Sequence, residues 1–416
     1  MNLIIHRGTQ EIGGTCIELI AADGTRIIFD VGMQLEEPAD GAEDPAVAGL
    51  YSTDVSNAPN AVLISHPHLD HYGLLDEIKN SVAVYAGAAT WKLMDTTRRV
   101  FSKPNYNVCR HCFAHAEAFV IGSFRITPYL MDHSAFDSYA FVIEADGKTI
   151  IYSGDFREHG RKGKLLDMFL AKAPKHADVL LMEGTCLTEG LYERKSWSEQ
   201  MLESKIVESV ILGKPYFFYS SSQNIDRLVT FYRTALKTGR ELVIDAYTAN
   251  ILEDLAVGNK LPKPSVYDKI RVHFYGRSTD RLIVNDDKSP LNKFRPKKIQ
   301  IPEIAQRLGE LVLQVRPGMI ALLSNHCQID GGVLAYSLWS GYKDKPDSQR
   351  LMKWATDRNM AVLDLHTSGH AGRDTLKKMA VGLEPKVIIP IHTLAPGEYG
   401  EFGNVRLVGD GEVVTI

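Results

Sequence analysis

The sequence predicts an α/β protein: two sheets with helices packed outside them, interrupted by an inserted α/β domain that has its own sheet. Three observations carry this. The first half alternates short β-branched apolar runs with Gly, Asp and Asn turns, and helical stretches split the strands into pairs. Near Thr188 the texture changes to strand–helix–strand alternation. After about Met360 a strand running into histidine returns, as in the first half. The expected organisation is a first domain over 1–190, an inserted domain over 191–348, and a return to the first over 349–416.

The elements follow in order. "NLIIHRG", "GTCIELIAADGTRIIFDVG" and "NAVLISHPH" read as strands, with "ADGT" as a hairpin turn. Tyr72 to about Phe101 is helical in period, broken by the strand-like "VAVYAG". A further run of strands, with an "ADGK" turn, extends from Cys112 to Phe156, and "HADVLLMEGT" is a buried strand entering a loop. "SWSEQMLESKIVESVILG" is a helix that Ser196 can cap, with Glu199 completing a capping box. "KPYFFYSSSQNIDRLVTFYRTALKTG" and "RELVIDAY" form a parallel strand–helix–strand unit. "MAVLDLHTSGHAG", the helix "RDTLKKMAVGL" and "PKVIIPIHT" close the chain's regular structure.

A chain of 416 residues is too long for one ordinary core. Its 44% hydrophobic and 24% charged residues exclude a disordered chain. The net charge of −4 provides no bulk basic signature for nucleic acid, although a local groove needs none. "RPKK" at Arg295, with Lys293, is a local basic run or a solvated loop. The N-terminal "MNLIIHRGTQEIGG" has no charged-then-apolar leader, and no run is long enough to span a bilayer. A cytoplasmic protein with no membrane contact is expected, its five scattered cysteines reduced. "CRHCFAH" could offer Cys109, His111, Cys112 and His115 to a structural zinc or to redox chemistry. Without a second CxxC or a thioredoxin-like context, free thiols in a loop are the simpler reading.

"SHPHLDHYG" concentrates chemistry. His66 and His68 alternate out of a strand end, and Asp70 and His71 follow in a turn that can aim them at the same cavity. Imidazole and carboxylate donors this close suit Zn, Mn or Fe. Further donors stand after apolar runs: His133 in "MDHSAFDS", Asp155 in "YSGDF" and His392 in "IPIHT". Taken singly, each of these three reads as a surface histidine or a turn former. Together they exceed the four donors of one tetrahedral ion, so two divalent ions with Asp155 as a bridge are expected, zinc foremost and manganese second.

"GTQEIGG", "FDVG", "HPHLDH", "HSAFDS" and "GDFR", in this order, resemble the metallo-β-lactamase superfamily. The resemblance implies an αββα sandwich with a two-metal site at one edge, supported structurally by Asp30. "LLMEGT", "HTSGHA" and "PIHT" resemble the three additional motifs of the β-CASP group, which includes ribonuclease J and the cleavage-factor nucleases. In that group an inserted domain caps the site, and ribonuclease J has a further C-terminal domain that this chain is expected to lack. Carried over by position, His66, His68 and His133 would hold one metal, Asp70, His71 and His392 the other, with Asp155 between. Glu183 would orient a neighbouring imidazole. His370 would donate a proton to the leaving oxygen. Ser368 and Gly369 would cradle a phosphate with nearby backbone N–H groups, and His366, Thr367 and His370 would be further substrate contacts. Ser221 and Ser222 in "YSSSQN" are a second phosphate contact, or Ser222 is an N-cap.

The expected activity is metal-dependent phosphodiester hydrolysis by a bridged hydroxide in the cleft between the domains. RNA or another single-stranded nucleic acid is the partner and 5′-phosphates are the products; a homodimer is compatible with this. The competing class is a metallohydrolase of a small ester, thioester or lactam. A third is an RNA-binding module that has lost catalysis, which intact ligands disfavour.

Overall fold

The computed structural model describes residues 1–35, 45–53, 55–79, 82–187, 197–276, 279, 280, 282 and 288–416. It divides into two compact units: Met1–Trp91 with Tyr106–Ser196 and Gly369–Ile416, and Lys92–Asn105 with Trp197–Ser368.

In the first unit the strands are β1 (Asn2–Arg7), β2 (Cys16–Ile20), β3 (Arg26–Phe29), β4 (Ala61–Leu63), β5 (Ala83–Gly87) and β6 (Cys109–Phe113). There follow β7 (Phe119–Ile121), β8 (Phe124–Met131), β9 (Ser138–Ala145), β10 (Lys148–Tyr152) and β11 (Val179–Glu183). The second unit has β12 (Tyr216–Tyr219), β13 (Glu241–Asp245), β14 (Ile270–His273), β15 (Lys298–Ile299), β16 (Leu311–Gln314), β17 (Val333–Tyr336) and β18 (Ala361–Asp364). The first unit resumes with β19 (Ile388–Ile391) and β20 (Val413–Thr415).

Two sheets form the first unit, ordered β20-β1-β2-β3-β4-β5-β6 and β19-β11-β10-β9-β8-β7. Both "ADG" turns make hairpins, closing Ile20 on Arg26 and Ala145 on Lys148. Period-two alternation sorts the side chains. Phe141, Ile143, Ile150, Tyr152 and Leu181 join Leu3, Ile17, Phe29 and Leu63 of the other sheet in one buried core. The alternate residues Ala140, Val142, Ile151, Leu180 and Met182 face helices Lys164–Lys172 and Arg373–Leu383, which contribute Leu166, Phe169, Leu376 and Met379. This double burial explains why β11 has no polar face before Glu183. Burying each large apolar side chain contributes roughly 1.5–3 kcal/mol.

The second unit is one parallel sheet, ordered β15-β14-β13-β16-β12-β17-β18. Strand β16 pairs with both β12 and β13, so the expected strand–helix–strand unit is opened by a later strand. The return to the first unit comes at Gly369 rather than at the expected residue 349. Helix Pro346–Asp357 still covers this sheet, and β18 pairs with β17 from Val333–Ala361 to Tyr336–Asp364.

Local differences have simple causes. The expected cap Ser196 lies outside the described residues. Helix Glu199–Glu208 is capped by Ser198, whose side chain accepts from the Met201 N–H. Helix Ile225–Lys237 is capped by Asn224, not Ser222. Cys109 and Cys112 are exposed and form no disulfide, and they lie on the edge strand β6 rather than in the expected loop. Residues three apart on a strand point to opposite faces. The "RPKK" run forms a 3-10 turn entering β15. Its neighbour Lys293 pairs with Asp254, and Lys297 pairs with Asp268. Among the described residues no helix is long and apolar enough to cross a membrane.

Candidate metal centre

The centre is assembled at strand ends of the first unit. Asp30 directly follows β3 with a left-handed φ of 60°. Its buried carboxylate accepts from the Ser65 N–H and Oγ, each at 2.7 Å, and from the Tyr152 hydroxyl at 2.6 Å. His71 Nδ1 lies 2.8 Å from the same carboxylate and donates to it. Gly32 lets the chain pass closely here: a Cβ would lie 1.8 Å from the Asp70 carbonyl oxygen. Asp70 and His71 sit on a single helical turn, Leu69–Tyr72, rather than in an open turn.

Two groups of donors converge. His66 Nε2 is 3.1 Å from His68 Nδ1, which is 3.3 Å from His133 Nε2. Zn–N bonds of about 2.0–2.1 Å at tetrahedral angles place donors roughly 3.3 Å apart, and this trio matches that spacing. In the second group Asp70 Oδ2 is 3.3 Å from His392 Nε2 and 3.9 Å from His71 Nε2. Asp155 Oδ2 stands among them, 3.2 Å from His71 Nε2, 3.7 Å from His66 Nε2 and 3.8 Å from His392 Nε2. His71 Nε2 and Asp155 Oδ2 are buried and make no hydrogen bond. Buried donor atoms without hydrogen bonds, collected this tightly, suit a cation better than one another. All seven expected ligands lie in groups that could hold a metal ion, and His370 and Glu183 fall in such groups with some of them.

The imidazoles are oriented from behind. Thr185 Oγ1 is 2.8 Å from His392 Nδ1, and His133 Nδ1 donates to the Gly369 carbonyl at 2.6 Å. These bonds turn the Nε2 atoms toward the cluster. Burial pushes His66 and His133 well below the ordinary histidine range and His68 down to about 4, so these rings are neutral donors. Burial would raise Asp70 and Asp155. For Asp70 the His392 bond and the charge of His71 outweigh it, and for Asp155 the charges of His392, His71 and His370 do. His71 is raised despite burial, because Asp155 and Asp30 flank it.

His370 adjoins the cluster, its ring centroid 4.9 Å from that of His133 and 5.5 Å from that of His392. Its Nδ1 is 3.4 Å from Glu183 Oε1 and 3.7 Å from Asp155 Oδ2. Burial lowers its pKa, but Glu183 and Asp155 prevail and raise it to about 9. Glu183 is itself held by the N–H groups of Phe156, Ala371 and Thr185.

The remaining expected contacts divide between the units. Gly369 and His370 group with the first, and His366, Thr367, Ser368, Ser221 and Ser222 with the second. Within the second unit, His366 Nδ1 is 3.4 Å from the Ser337 carbonyl, and the Thr367 hydroxyl donates to the Trp197 carbonyl. Ser222 is buried between Thr248 and Arg316, while exposed Ser221 accepts from the Gln223 N–H. Gly369, expected to offer its N–H, also uses its carbonyl, to orient His133. Sequence reasoning missed Ser65, Tyr152 and Thr185 as orienting groups. Ser65 belongs to "SHPHLDHYG" and Thr185 to "LLMEGT", whereas Tyr152 had no local signal.

Fold and site together define a metallo-β-lactamase-fold protein with a cluster able to bind divalent metal, and residues 25–207 match the Beta-lactamase superfamily domain. The more particular likeness is to ribonuclease J. The chain is 22% identical to Ribonuclease J of Sinorhizobium meliloti over 347 residues, covering 80% of this chain and 57% of the relative's length. It is 24% identical to a ribonuclease of Thermus thermophilus, covering 94% of this chain and 92% of the relative. An RNase J-like protein of Methanocaldococcus jannaschii is 27% identical over 59% of this chain and 58% of its own. A crystal structure of a protein of unknown function from Enterococcus faecalis superposes with a TM-score of 0.80 at 22% identity, covering 100% of this chain and 99% of that one. The architecture is the expected one, a metallo-β-lactamase fold with an inserted β-CASP-type α/β domain.

Proposed function

We propose that this chain is a metal-dependent phosphodiester hydrolase that cuts single-stranded RNA and leaves 5′-phosphates. One observation carries the reading: His370, half-buried and held by Glu183, stands beside two converging donor groups that share Asp155. The ribonuclease names of the relatives supply the substrate class.

His66, His68 and His133 would hold one divalent ion and Asp70, His71 and His392 the other, with Asp155 between them; zinc or manganese fits these donors. Such a pair, when bound, supplies an activated water at neutral pH and charge to hold phosphate oxygens. The chain's own residues do the rest. His370 carries a proton on a ring that Glu183 fixes, ready for the departing 3′-oxygen. Gly369 places a residue without a side chain where a phosphate can approach the backbone. Asp30, Thr185 and Tyr152 keep the ligand rings from turning.

The test is product analysis on end-labelled, 5′-phosphorylated single-stranded RNA and DNA of matched sequence, with metal-loaded protein. Cleavage to 5′-phosphate products, lost in His370→Ala, is expected. If neither strand is cut, or if His370→Ala cuts like the wild type, the reading fails. Rapid turnover of nitrocefin or a chromogenic ester without nuclease activity would replace it with small-molecule hydrolysis.

A further inference from the structure

The segment that leaves Asp155 reads Phe156-Arg157-Glu158-His159-Gly160-Arg161-Lys162-Gly163-Lys164 and ends in helix Lys164–Lys172. Its base is locked to the strand end that carries His133. Arg157 and Asp132 are both fully buried, with Nε and Oδ1 3.5 Å apart. The Arg157 N–H donates to the Asp132 carbonyl at 2.7 Å. Gly160 lies directly on this pair: a Cβ there would stand 2.4 Å from both Asp132 carboxylate oxygens and 2.6 Å from Arg157 Nε. Only glycine lets the loop pass so close. Asp132 immediately precedes His133, and Arg157 follows Asp155 by two residues, so the loop is anchored to two metal donors at once.

The outer part of the loop carries the basic residues Lys162 and Lys164. Lys162 Nζ lies 5.0 Å from the centroid of the Phe136 ring, three residues beyond His133. Lys164 is exposed. Among the described residues, neither lysine has a carboxylate partner. The acids nearby are committed elsewhere: Glu158 and Asp167 both pair with Lys378. The Asp137 carboxylate is turned inward to accept from the Thr90 N–H and the Tyr139 hydroxyl. Most surface lysines are mobile and solvated. Here the aromatic face under Lys162 and the rigid base of the loop hold the charge in place beforehand, which lowers the entropy cost of meeting a ligand.

We propose that this loop is the site's polyanion contact: Lys162 and Lys164 neutralise backbone phosphates of the single strand whose cleavage is proposed above. The inference rests on that nuclease reading for its substrate class. It also explains how a chain of net charge −4 can bind nucleic acid, through charge concentrated beside the donors rather than spread over the surface.

The test uses metal-loaded protein and a fluorescein-labelled, 5′-phosphorylated 2′-O-methyl phosphorothioate strand, which resists cleavage but keeps its backbone charge. Anisotropy titrations across roughly 50–200 mM salt give the slope of log K against log salt. Every phosphate of a single strand that the protein neutralises adds about 0.7 to the steepness of that slope, so Lys162→Ala/Lys164→Ala should make it shallower by about 1.4. The double arginine variant should restore it, and thermal melting should show both variants folded. A wild-type slope in the double alanine variant, or no salt-dependent binding by the wild type, overturns the inference. Cleavage of natural RNA is followed in parallel. Normal wild-type cleavage with an unchanged slope in the alanine variant sinks this inference alone. A shallower slope in the alanine variant with no cleavage by the wild type sinks the nuclease reading alone.

Discussion

His71 Nδ1 lies 2.8 Å from the Asp30 carboxylate, and that contact decides which face of the imidazole meets the donor cluster. With Nδ1 donating to Asp30, Nε2 is the atom turned toward Asp155 and the other candidate donors. Asp30 cannot reach the cluster itself through that oxygen, because the Ser65 and Tyr152 hydroxyls share it. It acts by orientation.

Asp30→Asn should therefore weaken metal binding by about 10–100-fold, the usual cost of losing a carboxylate behind a ligating histidine. Tyr152→Phe, which removes one of the hydrogen bonds to Asp30, should have a smaller effect in the same direction. Metal content after dialysis against a competing chelator measures this. Retention equal to wild type in Asp30→Asn would contradict the role.

His370 and Glu183 should separate catalysis from metal binding. His370→Ala is expected to lower kcat on RNA by about 10²–10⁴-fold while metal content stays at the wild-type level. Glu183→Gln should fall between this variant and wild type, because the amide can still accept from the Phe156 and Ala371 N–H groups but loses its charge. Elemental analysis alongside single-turnover cleavage checks both. Loss of metal in His370→Ala would reassign it as a ligand.

Metal removal should destabilise the protein. Free metal at about a hundred times its Kd adds roughly 2.7 kcal/mol to a chain that binds it only when folded. Exhaustive chelation should lower Tm by several degrees, and Asp70→Asn should remove most of that difference. Calorimetry of loaded and stripped protein decides this; identical melting would mean that the cluster does not bind metal in the folded state.

A pH test is available in the second unit, away from the ligands. The Asp254 carboxylate takes the Thr96 hydroxyl at 2.6 Å, Arg99 at 2.6 Å and Lys293 at 3.3 Å. Burial opposes ionisation, but these partners prevail and depress its pKa. A depressed carboxylate contributes stability above its unfolded pKa of about 3.9, and that stability is lost as pH falls through the lower folded value. Asp254→Asn should thus be less stable than wild type at neutral pH, by about 1 kcal/mol. The gap should close in strong acid. Denaturant titrations at both pH values measure it, and a gap independent of pH would contradict the ionic origin.

Much of this protein is written locally. The hairpin turns, the buried alternation of β9 to β11 and the cluster His66–His71 lie within short windows, where period and turn chemistry are direct physical constraints. The motif order added His133, Asp155, His370 and His392. What holds these candidate donors and His370 in position was not legible. Tyr152 reaches Asp30 across 122 positions and Thr185 reaches His392 across 207. Ser222 looked available as a cap or a phosphate contact, yet it is buried against Arg316. The return at Gly369 also escaped the sequence, because helix Pro346–Asp357 and β18 have the same local pattern whichever sheet they join.

The sequence by itself determined the fold class and pointed to the candidate donors, through residue type, spacing and the motifs it shares with a known superfamily. Only the tertiary structure decided which nitrogen each histidine presents, which carboxylates stay charged, and how the loop of Lys162 and Lys164 is anchored. Those properties depend on burial and on partners far along the chain, and neither is encoded in any short stretch of residues.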